Sequence, residues 1–141
     1  MALIAGQAEP FHHRAKKGIK GAGVIFSGAV LVIDTALTPD GWKIAGLTGV
    51  KPFGVLINGD AATGDTTISV CVEGEVNVIA GAAIQPNNYV MLDGAVAGRV
   101  KVWDGAAETT KVGFYAGDKT GTGTVEAAAD GDVIRIIKEA D

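Results

Sequence analysis

The stretch PFGVLINGDAATGDTTISVCVEGEV, residues 52–76, has the pattern of two β-strands joined by a turn. Apolar residues alternate with other residues in its first part (Phe53, Val55) and again in its last part (Ile68, Val70, Val72). Residues 59–65 between them are polar and rich in glycine. Period-two alternation on both sides of such a turn predicts a β-hairpin. The stretch has no His, Lys or Arg, so we interpret it as a scaffold element.

The composition extends this interpretation to the whole chain. A chain of 141 residues has the size of one domain and is long enough to bury a core. It is 48% hydrophobic and 20% charged, which is typical of globular proteins. Its 21 glycines, together with abundant Val and Ile, favour many short strands joined by tight turns. We predict a mainly β fold of roughly eight to ten strands. The only helix-like segment is 124–131, closed by Gly131.

The chain also repeats itself. Asp34 corresponds to Asp93 and Gly54 to Gly113, so the two copies are offset by about 59 residues, a period that indicates a duplicated unit. The matching segments are 29–34 with 88–93, 41–46 with 98–105, and 53–64 with 112–121. The last strands, ISVCV and VIRII, match at a larger offset, after the longer loop 119–131. The repeat predicts two similar β-units packed into one barrel or sandwich, with residues 21–141 as a single β-barrel domain.

Positive charge is concentrated near the N-terminus. Up to Ile33 the chain has four basic residues against Glu9 alone, whereas the remainder has eight basic and fifteen acidic residues. We therefore expect residues 1–20 to form a flexible basic arm that works separately from the acidic body. Its candidate binding residues are Phe11, His12, His13, Arg14, Lys16, Lys17 and Lys20. A protein partner is favoured over nucleic acid, because an acidic body opposes binding to phosphates and Phe11 is the arm's only aromatic residue.

Reactive chemistry is weakly represented in the sequence. The segment VIDTAL contains Asp34 in a context similar to the Asp-Thr element of dimeric aspartic proteases, but a turn at a strand end explains it as well. Cys71 lies in an apolar run and is predicted to be a core residue. His12 and His13 lack an obvious third metal ligand. The glycine-rich segments do not have the order of a phosphate-binding loop. We therefore predict no catalytic residue, no metal and no cofactor.

The sequence carries no sign of export or membrane insertion. The first residues have no charged region followed by an apolar core, so a signal peptide is not expected. No apolar run approaches the ~18 residues that span a bilayer. We expect the protein to be made in the cytoplasm.

These segments resemble the small capsid decoration proteins, or head-stabilising cement proteins, of tailed viruses, a group often filed as uncharacterised phage proteins. The resemblance covers roughly residues 23–138. Its elements are a Gly-Val strand, a glycine-rich turn, a Val-rich strand, a small-residue corner, a strand ending in Asp, and a last strand. Here they are residues 53–55, 59–64, 70–74, 80–84, 90–93 and 131–136. One departure is QPNNY at 85–89, where the family has a Gly-Asp turn.

The resemblance implies a β-barrel of the tulip or SH3-like type, without catalysis. It implies binding to the major capsid protein on the outer surface of the matured capsid, often as homotrimers at local three-fold positions. The partners implied are therefore the shell protein and further copies of this chain, with neither nucleic acid nor membrane. Two alternatives stay open from the residues alone: a small nucleic-acid-binding β-barrel, and a dimeric aspartic-type hydrolase that uses Asp34.

Overall fold

The computed structural model describes residues 3–21, 23–37, 41–44 and 51–139, and these residues form nine strands and one 3-10 helix. The helix, Glu108–Thr110, is a single short turn. The strands are β1 (Ala8–Lys20), β2 (Val30–Ile33), β3 (Gly41–Ile44), β4 (Gly54–Leu56), β5 (Thr67–Ile79), β6 (Asn88–Leu92), β7 (Val100–Val102), β8 (Lys111–Tyr115) and β9 (Val133–Lys138).

All nine strands belong to one sheet that curls back on itself. The order is β1-β3-β2-β4-β5-β9-β8-β6-β7, and β1 also pairs with β5, which closes the first five strands into a ring. At the other end a parallel bridge joins Ala80, just after β5, to Val100 of β7. The predicted mainly β class is therefore confirmed, with the strands in a partial ring.

The same pairing pattern occurs twice. In the first half β2 pairs with β3 and β4, and β4 pairs with β5. In the second half β6 pairs with β7 and β8, and β8 pairs with β9. We call β2, β3, β4 and the first part of β5 unit 1, and β6 to β9 unit 2. The predicted pair of similar β-units is confirmed strand for strand.

The turns outside the strands repeat as well. Ile25 bridges Ala61 in unit 1, and Ile84 bridges Ala128 in unit 2. Each of these residues exchanges both backbone hydrogen bonds with its partner, at 2.8 and 2.9 Å in both units. From Ile25 to Ile84 the offset is 59 residues and from Ala61 to Ala128 it is 67, so unit 2 holds eight extra residues before its last strand. This is the longer loop that the sequence predicts.

Segment 85–89, where the sequence departs from the decoration-protein pattern, keeps the turn of unit 1. Gly28 of unit 1 has a φ of 85°, and its backbone N–H donates to the Leu56 carbonyl at 2.9 Å. Asn87 of unit 2 has a φ of 70°, and its N–H donates to the Tyr115 carbonyl at 2.8 Å. Asparagine is among the few non-glycine residues that adopt this left-handed conformation readily.

The N-terminal segment differs from the expected mobile arm. Residues 8–20 are extended, as expected, but they form β1, which pairs antiparallel with β5 from Ala8↔Val76 to Ile19↔Thr67. Gly74 of β5 lets the two backbones approach closely, since an added Cβ would lie 2.0 Å from the His12 carbonyl oxygen. In the described part of the chain this segment therefore belongs to the body, and the predicted boundary at residue 20 falls at the end of a sheet strand.

The apolar side chains form two clusters. One belongs to the first half of the chain and includes Leu31, Trp42, Leu56 and Val70. The other joins unit 2 residues such as Val90 and Ile134 to the buried row Val30, Val55 and Cys71 of unit 1. Cys71 is fully buried, as predicted for a core residue. The predicted helical turn at 124–131 is wrong, because Ala128 instead forms the bridge to Ile84 and the segment before it is irregular.

Candidate functional site

The seven candidate residues of the expected arm lie along β1, and the six whose side chains are described divide into three environments. His12 and Arg14 face acidic residues of β5, Lys16 and Lys20 lie against other parts of their own chain, and His13 and Lys17 line a groove. The side chain of Phe11 is outside the part of the structure that is described. The described basic side chains of β1 therefore do not form one continuous surface.

Two of these residues, His12 and Arg14, contact carboxylates within the molecule. His12 Nδ1 lies 2.9 Å from Glu75 Oε2, and Arg14 Nε donates to Glu73 Oε2 at 3.3 Å. Glu73 and Glu75 belong to β5, the antiparallel partner of β1. These two side chains of β1 thus contact acidic residues of the strand with which their own backbone pairs. Both pairs are on the surface, where such pairs contribute little to stability.

Lys16 and Lys20 point toward unit 1. Lys16 Nζ lies 5.9 Å from the ring centroids of both Trp42 and Phe53, which stack on each other at 4.6 Å. A cation over stacked aromatic faces is attracted by their π-electrons. Lys20 is only 7% exposed, and its Nζ donates to the Gly21 carbonyl at 3.0 Å. Lys20 is thus largely enclosed by its own chain, and its predicted contact with a partner stays a prediction.

His13 and Lys17 remain as candidates because they open onto a groove of about 630 Å³. The groove lies between residues 4–8, β1 and the turn at 57–59, and Ser69 and Asn58 add polar groups to its wall. His13 Nδ1 donates to the backbone carbonyl of Glu9, which fixes its ring. The described lining also includes Lys16 and contains no carboxylate. The groove therefore favours negatively charged or carbonyl-rich groups.

A second candidate surface lies on unit 2 and consists of Tyr89, Phe114 and Ile137, which we call the aromatic row. Tyr89 pairs with Phe114 across β6 and β8, and Phe114 pairs with Ile137 across β8 and β9. The Tyr89 and Phe114 rings meet edge-to-face, with centroids 5.2 Å apart. Both rings are half-buried, and Ile137 is 47% exposed. Aromatic and apolar side chains that share an open sheet face in this way mark a candidate interaction site.

A cation borders the aromatic row. Lys111 Nζ lies 3.8 Å from the centroid of Tyr89 and 4.3 Å from that of Trp103. Glu108 Oε2 lies 2.8 Å from the same nitrogen, and this hydrogen-bonded carboxylate raises the pKa of Lys111. The ammonium group therefore stays charged and holds the edge of the row in place.

Sequence reasoning missed the aromatic row, although the repeat contains the signal. At an offset of 59 residues Tyr89 replaces Val30 and Phe114 replaces Val55. Two small residues of one copy are aromatic in the other, which marks a change in what that face contacts.

The structure explains the suspected reactive residues by local structure. Asp34 is 8% exposed, and its Oδ1 accepts a hydrogen bond from the Ala36 N–H at 3.0 Å. Asp93, its counterpart, is 6% exposed and accepts from the Ala95 N–H at 2.9 Å. A carboxylate that bonds its own backbone two residues on is a turn device, and here it occurs once in each unit.

The described residues hold neither a group of three or more His, Cys, Asp and Glu side chains suited to a metal ion, nor a helix long and apolar enough to cross a bilayer. Burial raises the pKa of the Cys71 thiol, which disfavours the thiolate that nucleophilic chemistry needs.

Comparison with known proteins gives a likeness in fold. No family model matches this sequence, and no curated protein sequence matches it. The fold is similar to that of the base of a phage head fiber. The N base of head fiber gp8.5 in bacteriophage phi29 matches with a TM-score of 0.61 at 16% sequence identity. The likeness covers 89% of this chain and 93% of that chain. At this identity it shows a shared fold over nearly the full length of both chains.

Proposed function

We propose that this chain is a structural protein of a tailed-phage virion that binds the outer surface of the matured capsid and stabilises it. The observation that carries the proposal is the fold shared with the base of a phage head fiber over 89% of the chain. The sequence resemblance to capsid decoration proteins supports the same role independently. In this role the chain catalyses no reaction, and it associates with further copies of itself as trimers on the shell.

The physical basis of the role is mass action. A protein that binds only the expanded shell lattice stabilises that lattice by the free energy of its binding. A sheet closed by pairing between β1 and β5 is a stiff body, so little ordering entropy is lost on docking.

The groove beside β1 is the shell-binding site that we favour. It is concave, and its described lining has basic residues and no carboxylate. An extended acidic segment of the major capsid protein would fit it through backbone and carboxylate contacts. Because β1 is a strand of the sheet, point substitutions test this site, whereas deletion of residues 1–20 would remove part of the fold.

The test is co-sedimentation of the purified chain with matured heads stripped of accessory proteins, with unexpanded heads as the control. We expect saturable binding to matured heads alone, at a fixed ratio per shell subunit. Lys17→Glu should weaken this binding, whereas Lys101→Glu, a matched charge change on unit 2, should not. Absence of binding to both kinds of head would refute the proposed function.

A further inference from the structure

The pairing registers show which face of unit 1 corresponds to the aromatic row. In unit 1 Val30 pairs with Val55, and Val55 pairs with Cys71. In unit 2 Tyr89 pairs with Phe114, and Phe114 pairs with Ile137. The two rows occupy the same place in the same strand pattern. The flanking glycines confirm the alignment, since Gly54 pairs with Leu31 as Gly113 pairs with Val90.

The two equivalent rows differ in what covers them. Val30, Val55 and Cys71 are 0% exposed and belong to the larger core cluster. Tyr89 and Phe114 are half-buried and Ile137 is 47% exposed. The face that is interior in unit 1 is thus a surface in unit 2, and it carries larger side chains there. Tyr, Trp and Phe are enriched at the centres of protein interfaces for their large rigid area.

The aromatic row is already held in one geometry. Trp103 Nε1 donates to the Ala107 carbonyl at 3.1 Å, and the Trp103 ring meets Tyr89 at 6.2 Å between centroids. Lys111 lies against both rings. Because these side chains are fixed before binding, docking on them loses little rotamer entropy.

A complementary surface lies where β1 pairs with β3 of unit 1 in the same chain. Ile19 and Leu37 are 38% and 39% exposed, and both lie beside Gly41 of β3. Lys43, two residues further along β3, is exposed. We call these three residues the Ile19–Leu37 patch. It is apolar with a basic rim, whereas the aromatic row is bordered by Glu75, which lies opposite Ile137 and contacts His12, and by the ion pair of Glu108 with Lys111.

The two halves of the chain also differ in net charge. Residues 1–72 carry six basic and five acidic residues, whereas residues 73–141 carry six basic and eleven acidic residues. Contact between a first half and the second half of another copy therefore brings together opposite net charges, which favours that orientation over like-to-like contact.

We infer that the aromatic row of unit 2 docks the Ile19–Leu37 patch of a second copy of this chain. The two surfaces lie on different units, so the contact is head-to-tail, and its repetition gives a closed ring or an open filament according to the rotation between copies. The inference names the surfaces for the self-association in the proposed function, and it does not depend on binding to a shell.

The experiment uses two single variants of the full chain, Phe114→Ser in the aromatic row and Leu37→Ser in the patch. Each variant keeps one of the two surfaces intact. We expect the unaltered chain to self-associate with rising concentration in sedimentation velocity, and each variant alone to associate about tenfold more weakly or worse. An equimolar mixture of the two variants should form a dimer through the single intact contact. Val125→Ser, at a 69% exposed apolar site outside both surfaces, is the matched control and should behave as the unaltered chain.

Two results would overturn the inference. One is an unaltered chain that stays monomeric over the whole concentration series. The other is a mixture that gives no dimer although both variants are folded by circular dichroism. If Phe114→Ser does not fold, Ile137→Lys replaces it, because Ile137 is largely on the surface. Shell binding is measured separately by co-sedimentation, so failure of self-association and failure of the proposed function are distinguishable.

Discussion

Unit 1 and unit 2 share their strand pairing but differ in which side chains occupy equivalent positions. Trp42 of β3 corresponds to Val100 of β7, because the N–H of Gly21 donates to the carbonyl of Trp42 and that of Gly81 donates to the carbonyl of Val100, both at 2.7 Å. Leu56 likewise corresponds to Tyr115. The repeated features are turns, glycines at close approaches and buried aspartates. The backbone pattern therefore depends on few positions, which leaves the remaining positions free to specialise one copy for packing and the other for contact.

The largest expected difference in the effect of equivalent substitutions on the free energy of unfolding is at Trp42. Trp42 is fully buried and stacked on Phe53, so Trp42→Ala should lower the free energy of unfolding by about 3–5 kcal/mol. Val100→Ala, at the equivalent position, leaves a much smaller cavity and should cost clearly less. Urea unfolding followed by circular dichroism measures both. Equal losses of stability would contradict the larger packing contribution expected of the Trp42 side chain.

The next largest difference in stability is expected between substitutions at Val55 and Phe114, which occupy equivalent positions in the two rows. Val55→Ser puts a hydroxyl into an apolar site with no exposure, and we expect it to destabilise the fold by about 2–3 kcal/mol. Phe114→Ser, at the equivalent position, should cost less, because its ring is only half-buried. A larger loss of stability for Phe114→Ser than for Val55→Ser, measured on monomeric protein, would contradict the assignment of the aromatic row as a surface.

Tyr115 carries a hydroxyl group that its counterpart Leu56 lacks, and removing that group alone tests what it contributes to stability. The Tyr115 hydroxyl donates to the Glu126 carbonyl at 2.7 Å, so Tyr115→Phe should lower the free energy of unfolding by about 1 kcal/mol near neutral pH. Burial is the main cause that raises the pKa of Tyr115 to about 12.

The raised pKa also predicts a pH dependence. The folded state keeps Tyr115 neutral while the unfolded chain ionises at the ordinary value of 10.0. The stability that Tyr115 contributes is therefore full below pH 10 and is lost as the pH rises toward 12. The unaltered chain should lose more stability than Tyr115→Phe over this interval. If the unaltered chain and Tyr115→Phe lost stability in parallel over this interval, the raised pKa of Tyr115 would be refuted.

The smallest expected effect concerns the ion pairs that join β1 to β5. The Arg14 and Glu73 side chains are 63% and 50% exposed, so Glu73→Gln should change the free energy of unfolding by less than about 1 kcal/mol. The effect should shrink further in high salt. A double-mutant cycle with Arg14→Gln isolates the pair. A coupling well above this range would show that electrostatics, and not backbone pairing, holds β1 to the sheet.

Much of the scaffold could be predicted because its signals are local. The hairpin at 52–76 is present with Val55↔Cys71 and Leu56↔Val70 paired, and the 59-residue repeat predicted the two units. The alternation of apolar residues and the glycine-rich turns fix these elements within short windows of sequence. Three alanines before Gly131 indicated a helical turn, but pairing of Ala128 with Ile84 outweighs that weak propensity.

The candidate site was harder to predict because it depends on pairing between distant segments. The run HHRAKK shows no apolar alternation, so nothing local distinguishes a strand from a free arm. Its place in the sheet is set by backbone pairing with β5 and the close approach at Gly74, about sixty residues away. Burial of Lys20 follows from the same pairing. Charge composition alone predicted acidic contacts for this segment, and two of its residues, His12 and Arg14, contact glutamates of the same chain.

β5 is a single strand of 13 residues that serves both units, and this has a consequence for how the protein unfolds. Its first part pairs with β4 and its last part with β9, while β1 runs along much of its length. Loss of β5 from one unit removes an edge from the other, so neither can melt alone. Heating should give one transition, with equal calorimetric and van't Hoff enthalpies. Because these partners are far apart in sequence, refolding should also be slow for a domain of this size.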